Sequence, residues 1–151
     1  MAEQVNQVAC LRFPKDPNNI LLPNVSVAEV IPYQAAVKES GPEWFMGFFL
    51  WRNTQVPVLS LEALNEQAPL EITDRTRYAV INRLSQNSNY DFFAVPIKDL
   101  PTLVRVYEDD LKSKDGSNLK SDMCTAEFEQ QTVSILDLEK LEVLINQDVL
   151  A

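Results

Sequence analysis

Trp44-Phe45-Met46-Gly47-Phe48-Phe49-Leu50-Trp51-Arg52-Asn53-Thr54-Gln55-Val56-Pro57-Val58-Leu59-Ser60-Leu61 makes up most of the strongest apolar region of this 151-residue chain, Trp44 to Leu64. Two apolar runs, Phe45 to Trp51 and Gln55 to Leu61, flank the polar Arg52-Asn53-Thr54, where a tight turn fits; together they predict a β-hairpin. The bulk of Phe45 to Trp51 suits a central strand. Alternate residues of a strand face opposite sides. If one face of the run packs inside, the other therefore shows bulky apolar side chains outward, as docking surfaces usually do. Arg52, beside Trp51, has two readings: a turn residue whose stem lies on the ring, or an exposed guanidinium at the centre of an interface, where Arg and aromatic residues are over-represented.

Outward from the hairpin the chain continues as short strands. Upstream, Val8 to Phe13 reads as a first strand, Pro14 to Asn19 as a turn and Ile20 to Leu22 as a second strand. Pro23-Asn24 suits the first turn of a short helix. Val27 to Ile31 is strand-like, and Tyr33 to Glu43 reads as an exposed loop closed by Gly41-Pro42. Downstream, Glu62 to Asn65 has room for a turn of helix, and the polar stretch that follows marks a lobe boundary near 62–76. Strands are then expected at Arg77 to Asn82, Tyr90 to Ile97, Pro101 to Tyr107, Met123 to Phe128 and Thr132 to Leu136. The polar segment 109–122, which contains Gly116, is expected to be an exposed loop. Asp137 can cap a last helix on which Leu138, Leu141, Leu144 and Ile145 form one apolar stripe. Nine or ten short strands with few helices predict a single all-β domain over 1–151, built as small barrels or a sandwich.

Composition narrows the chemistry. The chain has no histidine, which removes Ser-His and Cys-His nucleophilic pairs, a histidine general base and His-ligated zinc. Cys10 and Cys124 form no CxxC and are expected to be buried, reduced thiols. The three glycines, Gly41, Gly47 and Gly116, cannot write a phosphate-cradling loop. The acidic clusters at Glu108-Asp109-Asp110 and Glu127, Glu129 read as solvated loop charge. With 22 acidic and 13 basic residues the net charge is −9, and the basic residues are scattered, so no nucleic-acid footprint is present. No apolar run reaches the roughly 20 residues of a membrane-spanning helix, and the start, Met1-Ala2-Glu3-Gln4, lacks signal-peptide character. The expectation is a cytoplasmic protein with no catalytic residues, no cofactor, no metal and no membrane insertion.

Three segments resemble the CheW-like domain, the coupling adaptor of bacterial chemosensory arrays. Leu22-Pro23-Asn24-Val25-Ser26-Val27-Ala28-Glu29-Val30 is similar to the family's LP-x-x-x-V-x-E-V. Pro42 to Gly47, Leu50 to Asn53 and Val56 to Leu61 are similar to P-x-x-[VI]-x-G, NLRG and [VI]-P-V-[IV]-D-L, in order and at the right spacing. Val133 to Leu141 is similar to the closing [VL]-x-[IL]-L-D-L-x-x-L. The segments frame residues 8–146.

The resemblance implies two intertwined five-stranded, SH3-like barrels and no catalysis. It implies two partners: the regulatory domain of a histidine kinase, which carries a similar domain, and the cytoplasmic tip of a chemoreceptor. Receptor contact in the family maps onto Val27, Glu29, Gly47 and Arg52. For Val27 and Gly47 the alternative is a packing role, as an apolar strand residue and a backbone-permissive glycine. Departures are Asn53 where the family has Gly, Ser60 for the usual Asp, and a second lobe interrupted at Pro96 that lacks an expected Gly near Cys124. This divergence motivates an expectation of service in a type IV pilus (twitching) pathway rather than a flagellar one. The alternative function is a stand-alone ligand-binding or regulatory β-barrel, which a deep pocket between the lobes would favour. A carboxylate-dependent enzyme would need two acids facing one cleft.

Overall fold

A computed structural model describes residues 7–114 and 119–149. Eleven strands occur among them: β1 (Gln7–Phe13), β2 (Asn19–Pro23), β3 (Val27–Pro32), β4 (Phe45–Trp51), β5 (Thr54–Leu59), β6 (Arg77–Asn82), β7 (Phe92–Ile97), β8 (Thr102–Tyr107), β9 (Lys112–Lys114), β10 (Asp122–Phe128) and β11 (Gln131–Leu136). There are two α-helices, α1 (Leu61–Leu64) and α2 (Leu138–Asp148), and 3-10 turns at Asn24–Ser26 and Glu108–Asp110. Each α-helix begins at the residue chemistry that favours it. The Ser60 hydroxyl accepts from the Ala63 N–H, and the Asp137 carboxylate accepts from the Lys140 N–H, each at 3.1 Å. Serine and aspartate both make good caps, so Ser60 can stand where the family pattern has Asp without loss of the helix start.

The strands form two sheets, in the orders β8-β1-β2-β11-β10-β9 and β3-β6-β7-β5-β4. The chain starts in the first sheet, builds the whole of the second, and returns to finish the first. The two are thus interleaved, and β2 lies parallel to β11 in register Val133↔Asn19 and Ser134↔Ile20. Segment 62–76 joins β5 to β6, both in the second sheet.

Each sheet curls around a core of its own, giving two SH3-like barrels. Ile31 of β3 shares one apolar cluster with Phe49 and Trp51 of β4, although β3 and β4 are the opposite edges of their sheet. In the first sheet, Val106 of β8 meets Ala126 and Phe128 of β10 around Cys10, Leu21 and Val133. A third and larger cluster lies between the barrels, where Phe13, Ile20 and Leu22 meet Phe45, Leu59, Ile81 and Phe93. Helix α2 closes it with Leu138, Leu141 and Ile145 buried and Leu144 packed at the margin, the stripe expected from the spacing.

Four expectations are corrected. The run Phe45–Trp51 is an edge strand, not a central one; on its outer side an isolated bridge joins Phe48 to Val37. The polar stretch 109–122 contains β9, whose three exposed residues pair with Thr125, Ala126 and Glu127 and bring that sheet to six strands; Asp115 and Gly116 lie outside the described residues. Charged side chains on this short edge discourage pairing with another chain. Pro96 does not interrupt its strand but sits within β7, opposite Tyr78. Cys124 is half-buried, while Cys10 is buried in the first barrel's core, where loss of hydration pushes its thiol pKa up.

Candidate functional site: the Glu29–Arg52 edge of the second barrel

The aromatic hairpin serves two cores because it is bulged. Register slips between Phe45 and Gly47, so strict alternation is broken at that point. Phe45 and Phe48 consequently face the core between the barrels, while Phe49 and Trp51 face the interior of the second barrel. Phe48 is covered by Phe45 and Tyr90, at centroid distances of 5.1 and 5.6 Å. The outward apolar surface expected of this strand therefore narrows to Leu50, 67% exposed, with Val37 beside the same edge at 71%.

Gly47 makes this bulge possible. Its φ is +120°, and a Cβ there would lie 2.5 Å from the backbone carbon and oxygen of Val37. The close approach is held by paired bonds, Val37 N–H to Phe48 O and Phe48 N–H to Val37 O, both 2.9 Å. Gly47 is buried and offers no side chain to a partner.

Arg52 and Asn53 both adopt left-handed backbone, with φ of 49° and 59°, which a two-residue hairpin turn requires. Asn is one of the few non-glycine residues that tolerates this region, so the turn keeps its shape with Asn at 53. The turn points Arg52 back over its own strand. Its guanidinium lies 4.3 Å from the centre of the Trp51 ring and donates to a Glu29 carboxylate oxygen at 3.2 Å. Glu29 reaches this position from β3, where a second bulge slips the register between Val27 and Glu29. Both charged side chains are exposed, Arg52 by 66% and Glu29 by 44%.

The structure thus brings Glu29 and Arg52 into direct contact and leaves the other two candidates in different roles. Val27 is half-buried against the core between the barrels. The sequence reading missed two buried acids. Glu142 on α2 accepts from the backbone N–H groups of Leu84 and Ser85 at 2.9 and 3.2 Å, and Glu62 pairs with Lys15 at 2.7 Å. Glu142 was hidden because it lies beside the apolar stripe of an amphipathic helix, where charge normally marks the solvated face. Glu62 and Lys15 are 47 positions apart, and no local pattern announces their meeting.

Among the described residues no group of three or more His, Cys, Asp or Glu is placed to hold a metal ion, and no helix is long and apolar enough to cross a membrane.

Comparison with known proteins agrees with this architecture. The structure is similar to that of the scaffolding protein TtCheW from Thermoanaerobacter tengcongensis, with a TM-score of 0.75 over 91% of this chain and 89% of that one, at 14% sequence identity. No curated protein sequence matches. The sequence pattern of the CheW-like domain matches residues 9–143. The chain therefore belongs to the CheW-like domain family of non-catalytic chemotaxis scaffolds.

Proposed function

We propose that this protein couples the cytoplasmic tip of a chemoreceptor to the regulatory domain of a chemosensory histidine kinase, and that the receptor docks on the β3 edge and the β4–β5 turn of the second barrel. The observation that carries this reading is the exposed Glu29–Arg52 pair, set on a buried Trp51 and formed by two positions of the family's receptor-contact motif. A guanidinium held flat on an aromatic ring loses little freedom when a partner binds, and such Arg and Trp residues are frequent interface anchors. In this reading Val27 and Gly47 act from beneath: Val27 seats β3 on the core and Gly47 lets β4 bulge. The kinase domain docks on exposed apolar edges of the barrels, Leu50 and Val37 among them.

The departures at Asn53 and Ser60 motivate the further assignment to a type IV pilus pathway, so that deletion would impair twitching. A deletion strain that twitches normally but swims poorly would overturn it.

The direct test of the receptor face is Arg52→Glu in a pull-down with the receptor's cytoplasmic domain. Reversing the charge leaves Glu29 beside a second carboxylate and should weaken capture by about 2–5 kcal/mol. Unchanged capture by a variant with wild-type circular dichroism would remove Arg52 from the interface.

A further inference from the structure

A cleft of about 750 Å³ opens where the β1–β2 loop, α1 with the loop after it, and the β7–β8 turn come together. None of Val27, Glu29, Gly47 or Arg52 lines it. Its apolar wall is made by Phe13, Ile20, Leu61 and Ile97, which belong to both sheets and to α1. Pro14, Pro17, Pro69 and Pro96 also line it, and their fixed φ angles favour a pocket formed before any ligand arrives. The volume is in the range of small-molecule sites.

The charges of the lining are unequally committed. Its three cations are each engaged by a carboxylate: Lys15 by Glu62 at 2.7 Å, Arg75 by Asp99 at 3.3 Å and Lys98 by Asp16 at 3.4 Å. The acids number four, and Glu71 forms no ion pair among the described residues. Glu62 is 6% exposed; Lys15 holds its Oε2, but its buried Oε1 has no hydrogen-bond partner. A buried carboxylate oxygen without a donor is costly, and an anion entering the cleft would find every lining cation already engaged and Glu71 uncompensated.

We propose that this cleft binds a small organic cation, an amine or amidine carried on an apolar body, with its N–H groups directed to Glu62 and Glu71 and its body on Phe13, Ile20, Leu61 and Ile97. Such a site would give a scaffold a small-molecule input at the seam of its two barrels, apart from the receptor face.

The test is an NMR titration of the ¹⁵N-labelled full chain with 4-phenylbutylamine, 4-phenylbutanol and 5-phenylpentanoate, which share one phenylbutyl body and differ in charge. The expected result is saturable shifts confined to amides in segments 13–17, 61–62, 67–75 and 96–99, with the amine bound about tenfold more tightly than the alcohol and the carboxylate weakest. N-acetyl-lysine methylamide, which presents the cation as a protein side chain would, should bind more weakly than the amine. Equal or tighter binding would assign the cleft to a partner's side chain and overturn the small-molecule reading. Glu62→Gln should abolish the preference for the amine over the alcohol. Glu71→Gln, on the exposed rim, keeps the buried pair intact and should reduce that preference severalfold even if Glu62→Gln does not fold. Shifts that do not saturate, shifts elsewhere, equal affinity for the three probes, or a preference unchanged in the folded variants would each overturn the proposal.

Discussion

Arg52 and Glu29 meet at 3.2 Å although they come from opposite edges of one five-stranded sheet, Glu29 from β3 and Arg52 from the turn that ends β4. The contact therefore lies where the sheet curls back on itself. It does not follow that the pair holds the barrel shut. Both side chains are substantially exposed, and exposed ion pairs are worth about 0.2–1 kcal/mol. The apolar cluster beneath, with Ile31 facing Phe49 and Trp51, supplies the closure. Stability and recognition should separate cleanly at this site. Glu29→Ala and Arg52→Ala should each lower unfolding stability by less than about 1 kcal/mol in urea titrations, and the swapped pair Glu29→Arg with Arg52→Glu should lose no more. Receptor capture should fall in all three proteins. A swap that restores capture would mean that the partner senses the bridge and not the position of the guanidinium.

Gly47 should behave in the opposite way. Alanine there would place its Cβ 2.5 Å from the Val37 backbone at a φ of +120°, so either the bulge or the Val37–Phe48 bridge must yield. Strained backbone of this kind costs about 1–3 kcal/mol, and displacement of Val37 adds to it. Gly47→Ala should therefore lower the urea midpoint and speed hydrogen exchange at the Val37 and Phe48 amides. Any loss of partner binding would then follow from a distorted β4 edge. Wild-type stability and exchange in Gly47→Ala would show that the segment before β4 is free to move away.

These two residues also show what the sequence could and could not convey. The turn at Arg52-Asn53 was legible because a polar break between two apolar runs, with an Asn that accepts left-handed backbone, admits few alternatives. The capped final helix was legible for the same reason: cap and stripe are local signals. The edge position of β4 was not. Apolar density on both faces suggests a strand buried between neighbours, yet here a bulge turns successive aromatics toward two different cores. Strand β9 was invisible because Lys112, Ser113 and Lys114 carry no apolar residue; only backbone pairing with β10 makes it a strand. Of the candidate site, the family motif named positions, but side-chain placement divided them into an exposed pair and two supports. The Lys15–Glu62 pair needed the third dimension altogether.

Glu142 anchors the loop after β6. Its two carboxylate oxygens accept from the N–H groups of Leu84 and Ser85, and Asn146, one turn on, accepts from the Asn89 N–H at 2.9 Å. Helix α2 thus holds the β6–β7 connection against the core between the barrels. Hydrogen bonds to a charged acceptor are worth about 1.5–3 kcal/mol, and removing this one strands two backbone donors. Glu142→Ala should destabilise the fold by about 2–3 kcal/mol and raise the exchange rates of the Leu84 and Ser85 amides. Glu139→Ala, at an exposed position on the same helix, should leave both unchanged. Equal effects from the two substitutions would indicate general weakening of α2, not loss of an anchor.

The last prediction concerns pH. Tyr78 is fully buried in the second barrel, stacked on Phe49 at 4.9 Å, and its hydroxyl donates to the Gln34 carbonyl at 2.6 Å. Burial, followed by the neighbouring Tyr33, pushes its pKa well above the usual tyrosine value. A phenol whose pKa is higher in the folded than in the unfolded chain favours folding fully while both states remain protonated, below about pH 10. The contribution is lost as the pH rises from there toward the folded-state pKa, because the unfolded chain ionises first. The urea midpoint of the wild-type protein should accordingly decline above about pH 10. Tyr78→Phe lacks the hydroxyl and should start lower at pH 8, by about 0.5–1.5 kcal/mol for the lost hydrogen bond. Its midpoint should fall less steeply in alkali, so that the two curves converge. Parallel curves would mean that Tyr78 does not set the alkaline limit of the barrel, whose packing would then tolerate the phenolate.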